Sequence, residues 1–220
     1  MDNTTRLAGL VCSLTFGLCI STAHAQTPDT STPVTPAKSA STKFFVGAGL
    51  EGTGLVTAQP SSASVTESGV GVGLIVGYGF TPTWAVYGDL SGANMSALDG
   101  STFGLGHFDV GVRAHFLTGA HVVVPFVQAG LSAKGEAATF TNRTGSHDLT
   151  ASGMGVGFGG GLNIHVRPAL AISAGATWSV GDFTNYTVDK QIVPGTSLSA
   201  TSARVHVGIV WFPQTHVVKG

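Results

Sequence analysis

The chain has 220 residues, a formal net charge of -1, only 10% charged residues and 32 glycines, so glycine runs at about twice and charge at under half of ordinary usage. That composition argues against a typical soluble enzyme, and the absence of a basic excess argues against a nucleic-acid partner. Mean hydropathy is +0.32, yet beyond the N-terminal region no run of about 18 apolar residues exists to cross a bilayer as a helix.

In chain order, Arg6 precedes an apolar stretch from Leu7 to Ile20, and Ala23-His24-Ala25 then supplies small residues where a signal peptidase reads them. Residues 1–25 are therefore expected to be a signal peptide cleaved after Ala25. Cys12 and Cys19, the two cysteines, both fall inside it, so the exported chain is expected to carry neither disulfide nor thiol nucleophile. Residues 26–42 are Thr, Ser, Pro and Ala with little to bury, a composition expected of a disordered linker. The fold is expected over 43–212, with 213–220 as a tail.

From Phe44 the apolar signal has period two, which is the period of a strand with different surroundings on its two faces. Val70, Val72, Leu74, Val76, Tyr78 and Phe80 alternate with Gly69, Gly71, Gly73, Ile75, Gly77 and Gly79. Met154, Val156, Phe158, Leu162, Ile164 and Val166 alternate with glycine, Asn163 and His165, and Leu170 to Trp178 continues the pattern. Phe108, Val110, Val112, Ala114 and Phe116 are assigned outward, opposite His107, Asp109, Arg113 and His115. With Phe44–Glu51, Trp84–Gly92, Val122–Lys134 and Ser202–Phe212 this makes about eight strands, each near the 9–11 residues that cross a bilayer at a tilt.

The connections alternate in length. Thr81-Pro82-Thr83, Thr118-Gly119-Ala120 and Arg167-Pro168 read as short turns; Gln59–Ser68, Ala93–Thr102, Gly135–Ala151 and Gly181–Ala200 read as long polar loops. Outer-membrane barrels have short periplasmic turns and longer outer loops, so the pattern predicts an eight-stranded antiparallel transmembrane β-barrel, an up-and-down meander with both ends on the short-turn side. So narrow a barrel is filled by its own side chains, which explains inward glycine. Phe44, Phe80, Trp84, Phe116, Trp178, Trp211 and Phe212 fall near strand ends, as interfacial girdles do.

Several stretches carry a resemblance. Val46-Gly47-Ala48-Gly49-Leu50, Val76-Gly77-Tyr78-Gly79-Phe80-Thr81-Pro82, Pro125-Phe126-Val127-Gln128-Ala129-Gly130-Leu131 and the Gly157–Leu162 run resemble the small outer-membrane β-barrel domain of opacity-type, OmpX/Ail-type and OmpA transmembrane-domain proteins. The resemblance spans about Phe44 to Phe212 and implies residence in the cell outer membrane, with lipid and the assembly machinery as partners. It further implies a plugged interior whose ion pairs rearrange to conduct. Such proteins commonly end on an aromatic residue, whereas here Pro213–Gly220 follows Phe212.

Gly47-x-Gly49-x-x-Gly52 and Gly155-x-Gly157-x-x-Gly160 match a dinucleotide fingerprint but lie in period-two stretches with no helix to follow, so no nucleotide site is assigned. No Gly-x-Ser-x-Gly elbow exists. His107 and His115 lie about 26 Å apart along one strand and cannot share an ion. No cofactor, metal site or catalytic residue is assigned. The candidate site is the lumen, where Glu51, Asp89, His107, Asp109, Arg113, His115, Lys134, Glu136, His165, Arg204 and His206 are expected to converge as a paired polar network. The expected role is structural or surface-interacting and non-catalytic. Alternatives are a narrow porin-like channel lined by these charges, or an adhesin binding an extracellular ligand through the outer loops, where Phe140, Phe183 and Tyr186 are candidate anchors.

Overall fold

A strand that alternates glycine with Val, Leu or an aromatic can place the large residues in lipid only if its backbone groups pair sideways, and closure into a ring pairs all of them. The computed structural model describes residues 43–58, 64–97, 100–116, 122–142, 145–194 and 197–213. The expected signal peptide, linker, Thr118-Gly119-Ala120 turn and all of the tail but Pro213 lie outside them. The described residues form β1 (Lys43–Ala58), β2 (Val65–Gly79), β3 (Trp84–Ser96), β4 (Thr102–His115), β5 (Val123–Asn142), β6 (Gly145–Arg167), β7 (Leu170–Val188), β8 (Gln191–Ile192) and β9 (Leu198–Trp211), with no helix among them.

From β1 to β7 each strand pairs antiparallel with the next. β7 then pairs with β9 from Leu170↔Trp211 to Phe183↔Leu198, and β9 with β1 from Val46↔Trp211 to Ala58↔Ser199. Eight long strands thus close the meander into a barrel, while β8 only folds back on the tip of β7.

The strands are longer than expected, from 13 residues in β3 to 23 in β6. The segments 135–151 and 181–200 are largely strand, not loop: β5 and β6 stay paired to Asn142↔Gly145, and β7 runs to Val188. Crossing hydrocarbon limits only the apolar part of a strand. Beyond it, Thr, Ser and Asp at alternate positions satisfy the same period without looking like a membrane strand. Asp189 and Lys190 join β7 to β8 with φ of 51° and 66°, the two positive values of a type I′ turn.

The outer wall is an apolar band; Val70 and Val205, for example, are 74% and 61% exposed. So much contiguous apolar surface is stable in lipid and a liability in water. Phe44, Phe80, Trp84, Phe116 and Trp211 are exposed near the end carrying the short turns. Three assignments change. Phe183, expected as an outer-loop anchor for an extracellular ligand, lies within β7 and is buried inside the barrel. Phe212 turns inward and packs on Phe45, ring centroids 5.8 Å apart, because the alternation that points Trp211 outward must invert at the next residue. Ala114 faces outward by register but is buried opposite Trp84.

The glycines are a packing requirement. A Cβ built on Gly111 would sit 2.2 Å from the Ala129 carbonyl oxygen, and one on Gly130 2.2 Å from that of Val110, so β4 and β5 approach each other where neither carries a side chain. At Gly77 a Cβ would meet the Phe45 ring at 2.2 Å. An outward glycine such as Gly92 has nothing within 4 Å of that position. Gly111→Val should therefore destabilise the barrel by about 1–3 kcal/mol, the usual cost of overpacking, and Gly92→Ala should stay within about 0.5 kcal/mol of wild type. Urea unfolding in liposomes, followed by tryptophan fluorescence and the heat-dependent gel shift, checks both.

Candidate functional site: a sealed polar lumen

Inward positions divide the lumen into three layers. Toward the short-turn end, Phe45, Ala85, Tyr87, Ala171, Val210 and Phe212 form an apolar cluster. Toward the opposite, outer end, Leu55, Ala93, Met95, Phe103, Leu105, Ala151, Phe183 and Ala200 form a second, with Tyr186 and Leu198 packed against it. Charged and hydroxyl side chains occupy the space between.

Arg204, on β9, lies at the centre. Its Nη2 donates to Asp109 Oδ2, its Nη1 donates to Ser91 Oγ at 3.0 Å, and the same Nη1 is 3.7 Å from Asp89 Oδ1 and 4.0 Å from Glu51 Oε2. Register brings these partners together: Asp89 and Asp109 are directly paired on β3 and β4, and Glu51 pairs with His206, two residues along β9 from Arg204. Thr53 donates to the other Glu51 oxygen at 3.0 Å. One guanidinium thus faces three carboxylates from three strands, the planar, forked donor set that arginine alone offers.

Across the lumen, His107 Nε2 lies 2.9 Å from Ser202 Oγ, which lies 2.7 Å from Ser179 Oγ. Lys134 Nζ donates to the carbonyls of Ser179 at 3.1 Å and Ala200 at 2.6 Å. This satisfies an ammonium with backbone oxygens instead of carboxylates.

Arg113 makes a separate arrangement. Its Nε donates to Gln128 Oε1 at 3.0 Å, and Gln128 Nε2 donates to Thr177 Oγ1 at 3.1 Å. The guanidinium carbon sits 4.1, 5.4 and 5.8 Å from the ring centroids of Phe126, Tyr87 and Phe45, an aromatic cage of the kind that suits a desolvated cation. Glu51, Asp89, Arg113 and His206 also border a cavity of about 40 Å³, room for little more than a water or two.

Of the residues singled out from the sequence, Glu51, Asp89, Asp109 and Arg204 converge as one cluster. His107 and Lys134 meet the serine pair, while Arg113 and His206 share the cavity. His115 and His165 sit in the aromatic end, 6.3 Å from Phe126 and 5.3 Å from Phe212. Glu136 stands apart, half-buried on β5 opposite Ala151. Sequence reasoning missed Ser91, Gln128, Thr177, Ser179 and Ser202, as well as the two apolar clusters. Their signal was present as Phe45, Leu55, Tyr87, Met95 and Phe183 on the otherwise glycine-rich face, near strand ends. Among the described residues no three His, Cys, Asp or Glu side chains group as metal ligands.

A second polar cluster lies at the outer tip, beyond the wall. His147 Nδ1 is 2.6 Å from Asp189 Oδ2, and Asp189 Oδ1 accepts the Asp148 N–H at 3.0 Å. Thr139 Oγ1 donates to Asp148 Oδ1 at 2.9 Å, and Phe140 packs on the His147 ring at 5.4 Å. These contacts tie the β7–β8 turn to the β5–β6 hairpin.

The family described as outer membrane protein beta-barrel domain matches residues 14–210. Among solved structures, Neisserial surface protein A is similar in fold at 18% identity, covering 77% of this chain and 96% of that one with a TM-score of 0.57. OprG from Pseudomonas aeruginosa is similar at 10% identity, 77% and 95% coverage and 0.55. The outer membrane protein AlkL in lipid bilayers is similar at 11% identity, 90% and 100% coverage and 0.50. No curated relative matches.

Removing the shared cation leaves two buried carboxylates, Glu51 and Asp109, and the partly buried Asp89 without it. Arg204→Met should cost about 3–5 kcal/mol, as breaking a buried pair on one side does, and Asp109→Asn should cost less because Asp89 and Glu51 remain; urea midpoints in liposomes measure both. At the tip, the hydrogen bond from His147, then the Asp148 N–H, holds the Asp189 carboxyl below the ordinary carboxylate range. A depressed carboxyl contributes fully above the ordinary value of about 3.9 and loses its contribution as pH falls through the lowered one. Amide exchange at Asp148 and Asp189 should stay slow down to that range, then quicken on further acidification. Asp189→Ala should make it fast throughout.

Proposed function

Because this chain belongs to the outer membrane protein β-barrel domain family, we propose that it is an integral barrel of the cell outer membrane that works as a non-catalytic scaffold, presenting its outer sheet to the exterior. The observation that carries this reading is the sealing of the lumen at both ends. Leu55, Met95 and Phe183 at the outer cluster, and Phe45 and Ala85 at the inner one, are at most 1% exposed. An ion entering from either side must cross a layer of apolar side chains, interrupted on the outer side by Glu136 opposite Ala151, before it reaches the Arg204 cluster, and shedding its hydration there is costly.

Within this reading the polar layer braces the wall. Arg204 links β9 to β1, β3 and β4; His107 links β4 to β9; and Arg113, Gln128 and Thr177 link β4 to β5 and β7. Cross-lumen struts keep a thin-walled barrel round and hold its outer rim in one geometry, which is what a display platform needs. Arg204 is thus matched to carboxylates and Arg113 and Lys134 to neutral acceptors, and Ser202 and His107 are buried beneath the outer cluster, where no substrate reaches them. Lipid covers the apolar band, a signal peptide supplies export, and the outer sheet supplies any contact with an extracellular ligand.

In planar bilayers the reconstituted protein should give no unit conductance steps. Leu55→Gly combined with Phe183→Gly, which opens the outer cluster, should raise small ion currents that Arg204→Met alters. Stable steps from the wild-type protein would instead establish the porin-like channel.

A further inference from the structure

β5 outlasts its neighbour. Its pairing with β4 ends at Gly104↔Ala137, whereas its pairing with β6 continues to Asn142↔Gly145. Residues 138–142 are therefore paired with a strand on one side and, among the described residues, with none on the other, where β4 runs on only to Thr102. The far edge of the same outer sheet is treated differently: β8 folds back along the end of β7 through Thr187↔Ile192 and Val188↔Gln191, and the register shift at Ser152/Gly153 bulges β7 just below. Coverage and bulging are two devices that keep sheet edges from pairing with other chains. The β5 edge, Ala138-Thr139-Phe140-Thr141-Asn142, has neither among the described residues, and it contains no charge and no proline.

The backbone parity of β5 fixes which groups this edge offers. The Pro125 carbonyl accepts from Phe116 at the end of β4, and the Val122 carbonyl accepts from His165 of β6. Odd-numbered residues thus direct their backbone groups toward β4 and even-numbered ones toward β6. Above Ala137, Thr139 and Thr141 aim N–H and C=O at the uncovered side. Two such edges set antiparallel about Phe140 are self-complementary. Thr139 of one faces Thr141 of the other as a hydrogen-bonded pair, and the reverse, giving about four hydrogen bonds. Phe140 meets its own copy at the central non-bonded position, where Cβ atoms lie about 4.5–5.5 Å apart. Phe140 packs on the His147 ring with one side and is still 42% exposed, which leaves surface for that contact.

We propose that the β5 edge pairs with the same edge of a second copy, and that the two copies sit in opposing membranes. The second part follows from direction. All copies in one membrane send β5 outward the same way, so antiparallel pairing needs a copy pointing back. A five-residue edge is far smaller than a standard interface; the contact holds through many weak pairs acting together across two surfaces. The inference rests on the surface-display reading above and adds the partner to it.

The test uses the full chain with Cys12→Ser and Cys19→Ser, reconstituted in liposomes of neutral lipid. Wild-type vesicles should cluster, read as turbidity, and Thr141→Pro, which removes an edge N–H without touching the β6 side, should lose clustering while keeping its heat-dependent gel shift. Under mild oxidation Phe140→Cys should form disulfide dimers. Thr139→Cys vesicles mixed with Thr141→Cys vesicles should cross-link, while either alone should not. Dimers no more abundant than those of Thr66→Cys, exposed at the same end, would overturn the proposal; so would unchanged clustering in Thr141→Pro, or dimers forming within unclustered vesicles. A barrel that is electrically silent yet fails to cluster removes this inference alone and leaves the display reading standing.

Discussion

Hydrocarbon offers a peptide backbone no hydrogen-bond partner, and each unpaired group there costs several kcal/mol. The closing ladder between β9 and β1 removes that cost, and most other features follow from it. A sheet closed at eight strands has an interior only about as wide as its own side chains. Its inward positions must then be small where strands approach closely, as at Gly111 and Gly130, and occupied where space remains. The glycine content is the sequence trace of that geometry.

Closure also encloses charge. A lumen walled by lipid on all sides has a low effective dielectric, so each ionised group in it needs a partner with good geometry. Arg204 meets this by facing three carboxylates together with Ser91 Oγ. Arg113 meets it through one amide oxygen and three aromatic faces, and Lys134 through carbonyl oxygens. Three cations thus use three kinds of acceptor, spread along the barrel so that they do not compete for the same carboxylates. The apolar clusters above and below keep bulk water from loosening these pairs, which ties the sealing of the lumen to its rigidity.

The wall was legible in the sequence because period-two alternation is a direct image of a strand between two different media. Val70 to Phe80 and Met154 to Val166 need no tertiary knowledge to be placed. The lumen was legible only as a set of inward charges. Which carboxylate meets which cation depends on register between strands far apart in sequence: Arg204 and Ser91 are separated by 113 residues, and local pattern carries no information at that range. Ser179 and Ser202 looked like ordinary inward small residues until register set them 2.7 Å apart. The outer end was misread for a different reason. Thr139, Thr141, Thr150 and Thr187 have strong strand preference, but amid polar neighbours they resemble loop composition, and only pairing with β6 shows that the strand continues.

That continuation gives the molecule its asymmetry. The ring is uniform where lipid surrounds it, because any open edge there would be intolerable. Above the membrane water can satisfy backbone groups, and the constraint lapses. There β5, β6 and β7 rise beyond β4 as a partial sheet with two edges, of which the chain covers one with β8 and stiffens its turn through Asp189, His147 and Asp148. Covering an edge requires a turn that places two non-glycine residues at positive φ, a strained arrangement that persists only where surrounding contacts hold it. A fold that accepts such strain to close the β7 edge, while leaving the β5 edge uncharged and open, treats the two differently, and that difference concentrates its capacity for recognition at Ala138–Asn142.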